Sequence, residues 1–197
     1  MKTPHKPGQL RIIGGEWRGR KLAFPGIEGL RPTPDRVRET LFNWLRDVVP
    51  GSRCLDLFAG SGALGFEALS RGAAQAVMVD QEARVIAQLH KNIEILHAQS
   101  AHAVQADALS YLQGPPQPFD VVFLDPPYRL FDLLQPCCEQ LENRGWLGPH
   151  AHIYLEAEAA RGLPSLPRNW QVIRSKQAGQ VGYHLIVREQ QDCVPSS

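Results

Sequence analysis

The hydrophobic positions along the chain change their spacing near residue 53. Beyond that point, short apolar runs alternate with stretches whose apolar residues fall at helical spacing. Such alternation is typical of a mostly parallel sheet that is covered by helices on both faces. We predict strands at 53–58, 76–80, 102–106, 119–124 and 151–156, and helices near 62–71, 82–97, 108–113 and 130–143.

The end of the chain departs from this alternation. Segments 170–176 and 181–188 are both strand-like, and the short loop between them leaves no room for a crossover helix. We therefore expect an antiparallel hairpin that closes the sheet.

The first part of the chain has a different pattern. Residues 9–24 hold two short runs of apolar and basic residues around several glycines, which predicts a basic β-hairpin. A helix should begin near Pro34, because Thr33 is a good N-cap residue and proline suits the first helical position. Its apolar stripe continues towards Pro50 and leaves Arg36 and Arg38 on more polar faces.

Composition indicates an ordinary folded protein, with 43% hydrophobic and 21% charged residues in a chain of 197 residues. That length favours one domain. No apolar run is long enough to span a membrane and the start does not resemble a signal peptide, so we expect a cytoplasmic protein. Its cysteines and histidines lack metal-ligand spacing, and we assign no metal and expect reduced thiols.

Charge is distributed unevenly along the chain. Residues 1–46 carry 10 basic and 4 acidic side chains, whereas the remainder carries 11 basic and 16 acidic ones. A basic end on an acidic body suggests a polyanionic partner, although a solvated basic tail would give the same count.

Residues 60–65, Gly-Ser-Gly-Ala-Leu-Gly, match G-x-G-x-x-G between a predicted strand and a predicted helix. Alone, this glycine turn fits a dinucleotide site, another nucleoside cofactor or a purely structural turn. Asp56 ends the preceding strand, and a carboxylate there favours a ligand that carries an ammonium or sulfonium group over a phosphate. Asp80 and Asp107 follow the next two strands, where Asp80 is suited to ribose hydroxyls.

The fourth strand leads into Asp125-Pro126-Pro127-Tyr128, which we call the acceptor turn. Its prolines lack N–H donors, so the turn offers hydrogen-bond acceptors beside an aromatic ring. This combination suits a planar heterocycle with an exocyclic NH₂ group, although Asp-Pro-Pro is also a common way to stop a strand. We prefer the first interpretation because the fourth strand should lie beside the glycine turn.

These motifs resemble those of class I S-adenosylmethionine-dependent methyltransferases. Residues 56–62, Asp-Leu-Phe-Ala-Gly-Ser-Gly, resemble the cofactor loop, and the acceptor turn resembles the [D/N]-P-P-[Y/F] motif of enzymes that methylate exocyclic or amide nitrogens. Residues 31–39, with 11–15 and 17–20, are similar to the RsmD family of bacterial small-subunit ribosomal RNA guanine-N2 methyltransferases. The resemblance covers roughly residues 9–188.

The resemblance implies a Rossmann-like α/β fold with a seven-stranded sheet. It implies transfer of a methyl group from S-adenosylmethionine to the N2 amine of a guanine in 16S ribosomal RNA. We expect the RNA to lie in an assembled or partly assembled small subunit and the protein to be a monomer. The resemblance assigns the cofactor to Arg31, Thr33, Asp56, Phe58, Ala59, Gly60, Ser61, Gly62, Asp80, Gln81, Asp107 and Ala108. It assigns the guanine to Asp125, Pro126, Pro127 and Tyr128. Our candidates for phosphate contacts are Arg11, Arg18, Arg20, Lys21, Arg36, Arg38 and Arg129.

We expect three segments: an RNA-binding hairpin extension at 1–30, a methyltransferase domain at 31–190 and a tail at 191–197. Three alternatives stay open at this stage. One is a nitrogen methyltransferase that acts on DNA adenine or protein glutamine, and another is a catalytically silent RNA-binding assembly protein. The third is a dehydrogenase, for which Asp56 would have no purpose.

Overall fold

A computed structural model of the chain describes residues 6–27, 30 and 32–189, and describes Tyr128 through its backbone alone. The strands are β1 (Gly8–Arg11), β2 (Lys21–Phe24), β3 (Arg53–Asp56), β4 (Gln75–Asp80), β5 (Ala101–Gln105), β6 (Phe119–Leu124), β7 (Leu147–Glu158), β8 (Trp170–Ala178) and β9 (Val181–Arg188). The helices are α1 (Asp35–Trp44), α2 (Ala63–Ser70), α3 (Ala83–Leu96), α4 (Ala108–Gln113) and α5 (Leu134–Asn143), with a 3₁₀ helix at Tyr128–Leu133. No helix in the described ranges is both long and apolar enough to cross a bilayer.

Seven strands form one sheet in the order β5-β4-β3-β6-β7-β9-β8, which confirms the predicted fold class. Strands β3 to β7 are parallel, and β9 runs antiparallel to both of its neighbours, β7 and β8. The chain winds outward from β3 to β5 and then returns to place β6 directly beside β3. This reversal of winding direction creates a switch point, where open α/β sheets bind their ligands.

The central strands bury side chains on both faces, as parallel strands covered by helices require. Cys54, Phe123 and Tyr154 pack on the face that carries α1, α2 and α3. The residues that follow Cys54 and Phe123, Leu55 and Leu124, pack on the opposite face against α4 and α5. Alternate residues of a strand point to opposite faces of the sheet. Side chains at the carboxyl ends of β3, β6 and β7 can therefore lie on the same face, at the switch point.

The predicted basic hairpin is present as β1 and β2, an antiparallel pair separate from the main sheet. We call residues 8–24 the N-terminal hairpin. Its turn lies on α2, where the Glu67 carboxylate accepts the N–H groups of Ile13 and Gly14, both at 2.8 Å. Only glycine fits at Gly15, since φ is +75° and a Cβ there would lie 1.7 Å from the carbonyl oxygen of Ser70.

Two helix predictions need correction. Helix α1 begins at Asp35, directly after Pro34, and has no side-chain cap. It ends at Trp44 rather than near Pro50. The stretch predicted as one helix at 130–143 is a 3₁₀ helix followed by α5. Pro136 explains this break, because it lacks the N–H that a continuous helix would need there, whereas proline is tolerated in the first turn of α5.

Candidate active site

A cavity of about 920 Å³, which we call the cleft, opens at the carboxyl ends of the parallel strands. Its volume is in the range of ordinary small-molecule sites. An acidic side chain at or near the end of each parallel strand contributes to its wall. These are Asp56 at the end of β3, Asp80 at the end of β4, Asp107 after β5, Asp125 after β6 and Glu156 near the end of β7.

Asp56 lies at the base of the cleft with 2% of its surface exposed. Its Oδ2 accepts the backbone N–H of Gly65 at 3.2 Å, and the backbone of Phe58 contributes a second hydrogen bond. Burial, followed by the nearby charge of Asp125, raises the pKa of Asp56 to about 7. In the described part of the chain no basic side chain forms an ion pair with Asp56, so a positively charged ligand group would stabilise its ionised form.

Asp80 fixes the shape of the glycine turn. Its Oδ2 accepts the N–H of Gly60 at 3.0 Å and its Oδ1 accepts the N–H of Glu82 at 2.8 Å. Burial raises the pKa of this carboxyl, and these two N–H groups partly oppose the increase. Asp80 therefore joins the ends of β3 and β4, and it also lines the cleft.

Gly62 does not line the cleft, in contrast to the contact predicted for it. It has φ of +76°, and a Cβ there would lie 2.6 Å from the Phe66 ring. Its N–H donates to the carbonyl oxygen of Ala59 at 2.7 Å. Gly62 thus shapes the start of α2.

The remaining predicted cofactor residues fall at the cleft. Asp107 is the N-cap of α4, where its Oδ1 accepts the N–H of Ser110 at 3.0 Å, and these hydrogen bonds hold its pKa below the ordinary value. The other predicted members of the wall are Thr33, Phe58, Ala59, Gly60, Ser61, Gln81 and Ala108. Arg31 lies outside the described residues, and so does the side chain of Tyr128.

The acceptor turn brings Asp125, Pro126 and Pro127 to the cleft beside β3. The Thr33 hydroxyl donates to Asp125 Oδ2 at 2.9 Å, which corrects the prediction that Thr33 caps α1. Burial raises the pKa of Asp125, and the hydrogen bond from Thr33 opposes the increase. The segment before α1 therefore closes one side of the cleft through a direct contact with the acceptor turn.

Glu156 is a site residue that the sequence analysis did not identify. It lines the same cleft, is only 9% exposed, and lies beside Asp125, because the parallel register of β6 and β7 pairs Leu155 with Leu124. The Tyr154 hydroxyl donates to Glu156 Oε1 at 2.5 Å. An acid at the end of a parallel strand was the signal that identified Asp56 and Asp80, and applied to the predicted strand 151–156 it would have identified Glu156 as well.

Arg38 corrects one of the predicted phosphate contacts. Its side chain is 1% exposed, because it lies between α1 and the N-terminal hairpin. It donates to the carbonyl oxygen of Arg11 at 2.9 Å and pairs with Glu67 at 3.5 Å and Asp35 at 2.6 Å. Six other candidates are exposed, namely Arg11, Arg18, Arg20, Lys21, Arg36 and Arg129, and of these Arg129 lies at the cleft.

Comparison with known proteins gives a consistent assignment. A family model described as conserved hypothetical protein 95 matches residues 10–187. The chain is 52% identical over 193 residues to ribosomal RNA small subunit methyltransferase D of Escherichia coli K12, with 97% of each protein covered. It is 47% identical over 189 residues to the protein of that name from Haemophilus influenzae, covering 94% of this chain and 97% of the relative.

A solved structure supports the same assignment. It is described as the putative methyltransferase yhhF from Escherichia coli and shares 53% identity with a TM-score of 0.87. The match covers 93% of this chain and 100% of the solved chain. The chain belongs to the ribosomal RNA small subunit methyltransferase D family.

Proposed function

We propose that this protein transfers a methyl group from S-adenosylmethionine to the exocyclic N2 amine of a guanine in 16S ribosomal RNA. The observation that carries the proposal is the position of Asp56 and Asp125 at the ends of adjacent strands in one cleft. One carboxyl is suited to a cationic cofactor and the other to an amine acceptor. The two ligands would therefore meet at the switch point.

The residues of the cleft fit S-adenosylmethionine. Asp56 is a buried carboxylate with no cationic partner among the described residues, and the cofactor carries an ammonium and a sulfonium group. Asp80 is placed to accept hydrogen bonds from ribose hydroxyls, and Ala108 presents a small apolar surface to the adenine. When bound, the cofactor supplies an electrophilic methyl group on sulfur and leaves as a neutral thioether.

Asp125 orients the acceptor in this proposal. A guanine amine is a weak nucleophile because its lone pair is delocalised into the ring. The Asp125 carboxylate and the Pro126 carbonyl accept its two N–H bonds, which localises the lone pair and points it towards the methyl group. The amine loses its proton to water only after the N–C bond has formed, so Asp125 does not need to act as a strong base.

The target guanine must leave its stack to reach the cleft, because a base inside a helix is inaccessible. We assign the surrounding phosphates to the exposed basic side chains of the N-terminal hairpin and α1, with Arg129 beside the bound base. The substrate in this proposal is an assembled or partly assembled small subunit in the cytoplasm, and the enzyme acts as a monomer. The extension at 1–30, which contains the N-terminal hairpin, serves to bind RNA for the methyltransferase domain at 31–190.

The test measures methyl transfer from labelled S-adenosylmethionine to small ribosomal subunits that lack this modification, followed by nucleoside analysis. We expect the label in N2-methylguanosine. Asp125→Ala should reduce the rate by on the order of a hundredfold, since misplaced reactants lose about that factor. Asp47→Ala is the matched control, because Asp47 has 95% of its side chain exposed.

Other outcomes would overturn parts of the proposal. Label in a different nucleoside, in DNA or in protein would retain the fold and discard the substrate. Cofactor binding without transfer to subunits, naked RNA, DNA or protein would favour a silent RNA-binding protein, and binding of NAD in place of S-adenosylmethionine would favour a dehydrogenase.

A further inference from the structure

The acceptor turn is supported by a series of side-chain contacts that runs from Thr33 through Asp125 and Glu156 to Tyr154. Tyr154 Oη donates to Glu156 Oε1 at 2.5 Å. The parallel register of β6 and β7 pairs Leu124 with Leu155, which places Glu156 beside Asp125, and each carboxyl shifts the pKa of the other as a hydrogen-bonding partner. Thr33 donates to Asp125 from the opposite side at 2.9 Å. Asp125 is therefore held between a hydroxyl from the segment before α1 and a carboxyl from β7.

Two carboxyl groups that are hydrogen-bonded to each other must share at least one proton, because ionised carboxylates only accept hydrogen bonds. Asp125 already accepts from Thr33, which stabilises its ionised form. Glu156 is 9% exposed, and burial together with the charge of Asp125 raises its pKa well above the ordinary value. The shared proton therefore belongs on Glu156.

We propose that Glu156 is a positioning residue, which in its protonated form donates a hydrogen bond to Asp125 and keeps that carboxylate ionised and turned towards the acceptor amine. The inference rests on the proposed function, because it assigns Asp125 to the amine. Glu156 itself transfers no proton to or from the substrate. It controls the reaction only through the charge and the orientation of Asp125.

The groups around Glu156 determine how the pair of Glu156 and Asp125 responds to pH. The ionisable groups nearest to Glu156 are Asp125 directly after β6, Tyr154 on its own strand and Tyr183 on β9, with Asp56 on β3 beyond Asp125. All of these are neutral or negative, and in the described residues no cation pairs with Glu156. Loss of the shared proton at high pH would therefore place two repelling carboxylates side by side and turn Asp125 away.

The test compares Glu156→Gln with Glu156→Ala. Glutamine reproduces the protonated form, since its amide oxygen accepts from Tyr154 and its NH₂ group donates to Asp125 at any pH. We expect Glu156→Gln to lose at most several-fold in methyl transfer near neutral pH and to lose the decline on the alkaline side of the wild-type profile. We expect Glu156→Ala to lose on the order of a hundredfold at every pH, with cofactor affinity retained.

A second measurement detects the proton on Glu156 in the absence of substrate. Infrared difference spectroscopy of wild type against Glu156→Gln should show a protonated carboxyl C=O band near neutral pH that is absent from the variant. If Glu156→Gln is as inactive as Glu156→Ala, or if the infrared band is absent from the wild type, the inference is wrong. If the band is present but no RNA is methylated by the wild type, the hydrogen-bond chain stands and the proposed function fails.

Discussion

The fold buries acidic side chains in two regions, and it treats them in opposite ways. Beneath the N-terminal hairpin, Glu67 is 0% exposed and accepts two backbone N–H groups at 2.8 Å. Arg71 and Arg38 also pair with it, at 2.7 and 3.5 Å. In the cleft, Asp56 has a comparable exposure of 2%, and among the described residues it accepts only from backbone N–H groups, at 3.2 Å in the case of Gly65.

This contrast separates structural acids from acids that await a ligand. A buried carboxylate that is paired and fully hydrogen-bonded contributes to the fold, and removing it leaves its partners unsatisfied. A buried carboxyl group without a cationic partner is destabilised in its ionised form until a cation binds beside it. Helix α2 serves both regions, since Glu67 points to the hairpin while the N–H of Gly65 points to Asp56. The hairpin and the cleft are thus joined through one short helix.

The largest expected effect comes from breaking the structural acid. Glu67→Ala removes the carboxylate between Arg38 and Arg71 and leaves the Arg38 guanidinium buried with fewer partners. We expect the free energy of unfolding to fall by about 3–5 kcal/mol, the usual cost of an uncompensated buried charge. Chemical denaturation measures this loss. The exposed Glu94 on α3 gives the control, because Glu94→Ala should change stability by less than about 0.5 kcal/mol.

The complementary change at the cleft should affect binding and leave the fold intact. Asp56→Asn keeps the shape of the side chain but removes the charge that faces the cationic cofactor. We expect affinity for S-adenosylmethionine to fall tenfold to hundredfold, since a hydrogen bond to a charged group contributes about 1.5–3 kcal/mol. Calorimetric titration provides the measurement. An unchanged affinity would show that Asp56 does not contact the cofactor, whereas a loss of folding would show that Asp56 is a structural acid like Glu67.

The pH dependence of stability distinguishes the two regions further. Because the pKa of Asp56 rises from 3.8 to about 7 on folding, the folded protein holds this proton more tightly than the unfolded chain does. The contribution of Asp56 to stability is therefore complete below about pH 4 and is lost as the pH rises through about 7. We expect the cofactor-free Asp56→Asn variant to be more stable than the wild type above pH 7 and equal to it in acid. Thermal unfolding across this range tests the sign.

Most of the fold was accessible to prediction because the parallel strands are buried on both faces. A continuous apolar run such as Val121–Leu124 fits a strand that is buried on both faces. The acid that follows such a run marks the edge of the sheet at which ligands bind. The same rule reached Asp56, Asp80 and Asp125. It also applied to Glu156, which was the last residue of a predicted strand.

The errors concern side chains whose partners are distant along the chain. Arg38 lies on what a helical wheel shows as a polar face, yet that face meets Glu67, which is 29 residues away. The Thr33 hydroxyl matches a helix cap locally, but it donates to Asp125, 92 residues away. Local rules give the types of groups that each segment offers, whereas the choice among partners depends on tertiary packing. The exposed basic residues stay predictions, since exposure alone does not identify what they contact.

The smallest expected effect tests those basic residues. Arg18 on the N-terminal hairpin and Arg174 on the edge strand β8 are both exposed arginines, and they belong to different sheets. If the hairpin binds phosphates, Arg18→Ala should weaken binding to small-subunit RNA and reduce the slope of log affinity against log salt by about 0.7. Arg174→Ala should leave both quantities unchanged. Filter-binding titrations at several salt concentrations make the comparison. Equal slopes for the two variants would locate the RNA surface elsewhere, and the acidic side chains of the cleft would then have to meet their substrate without guidance from the hairpin.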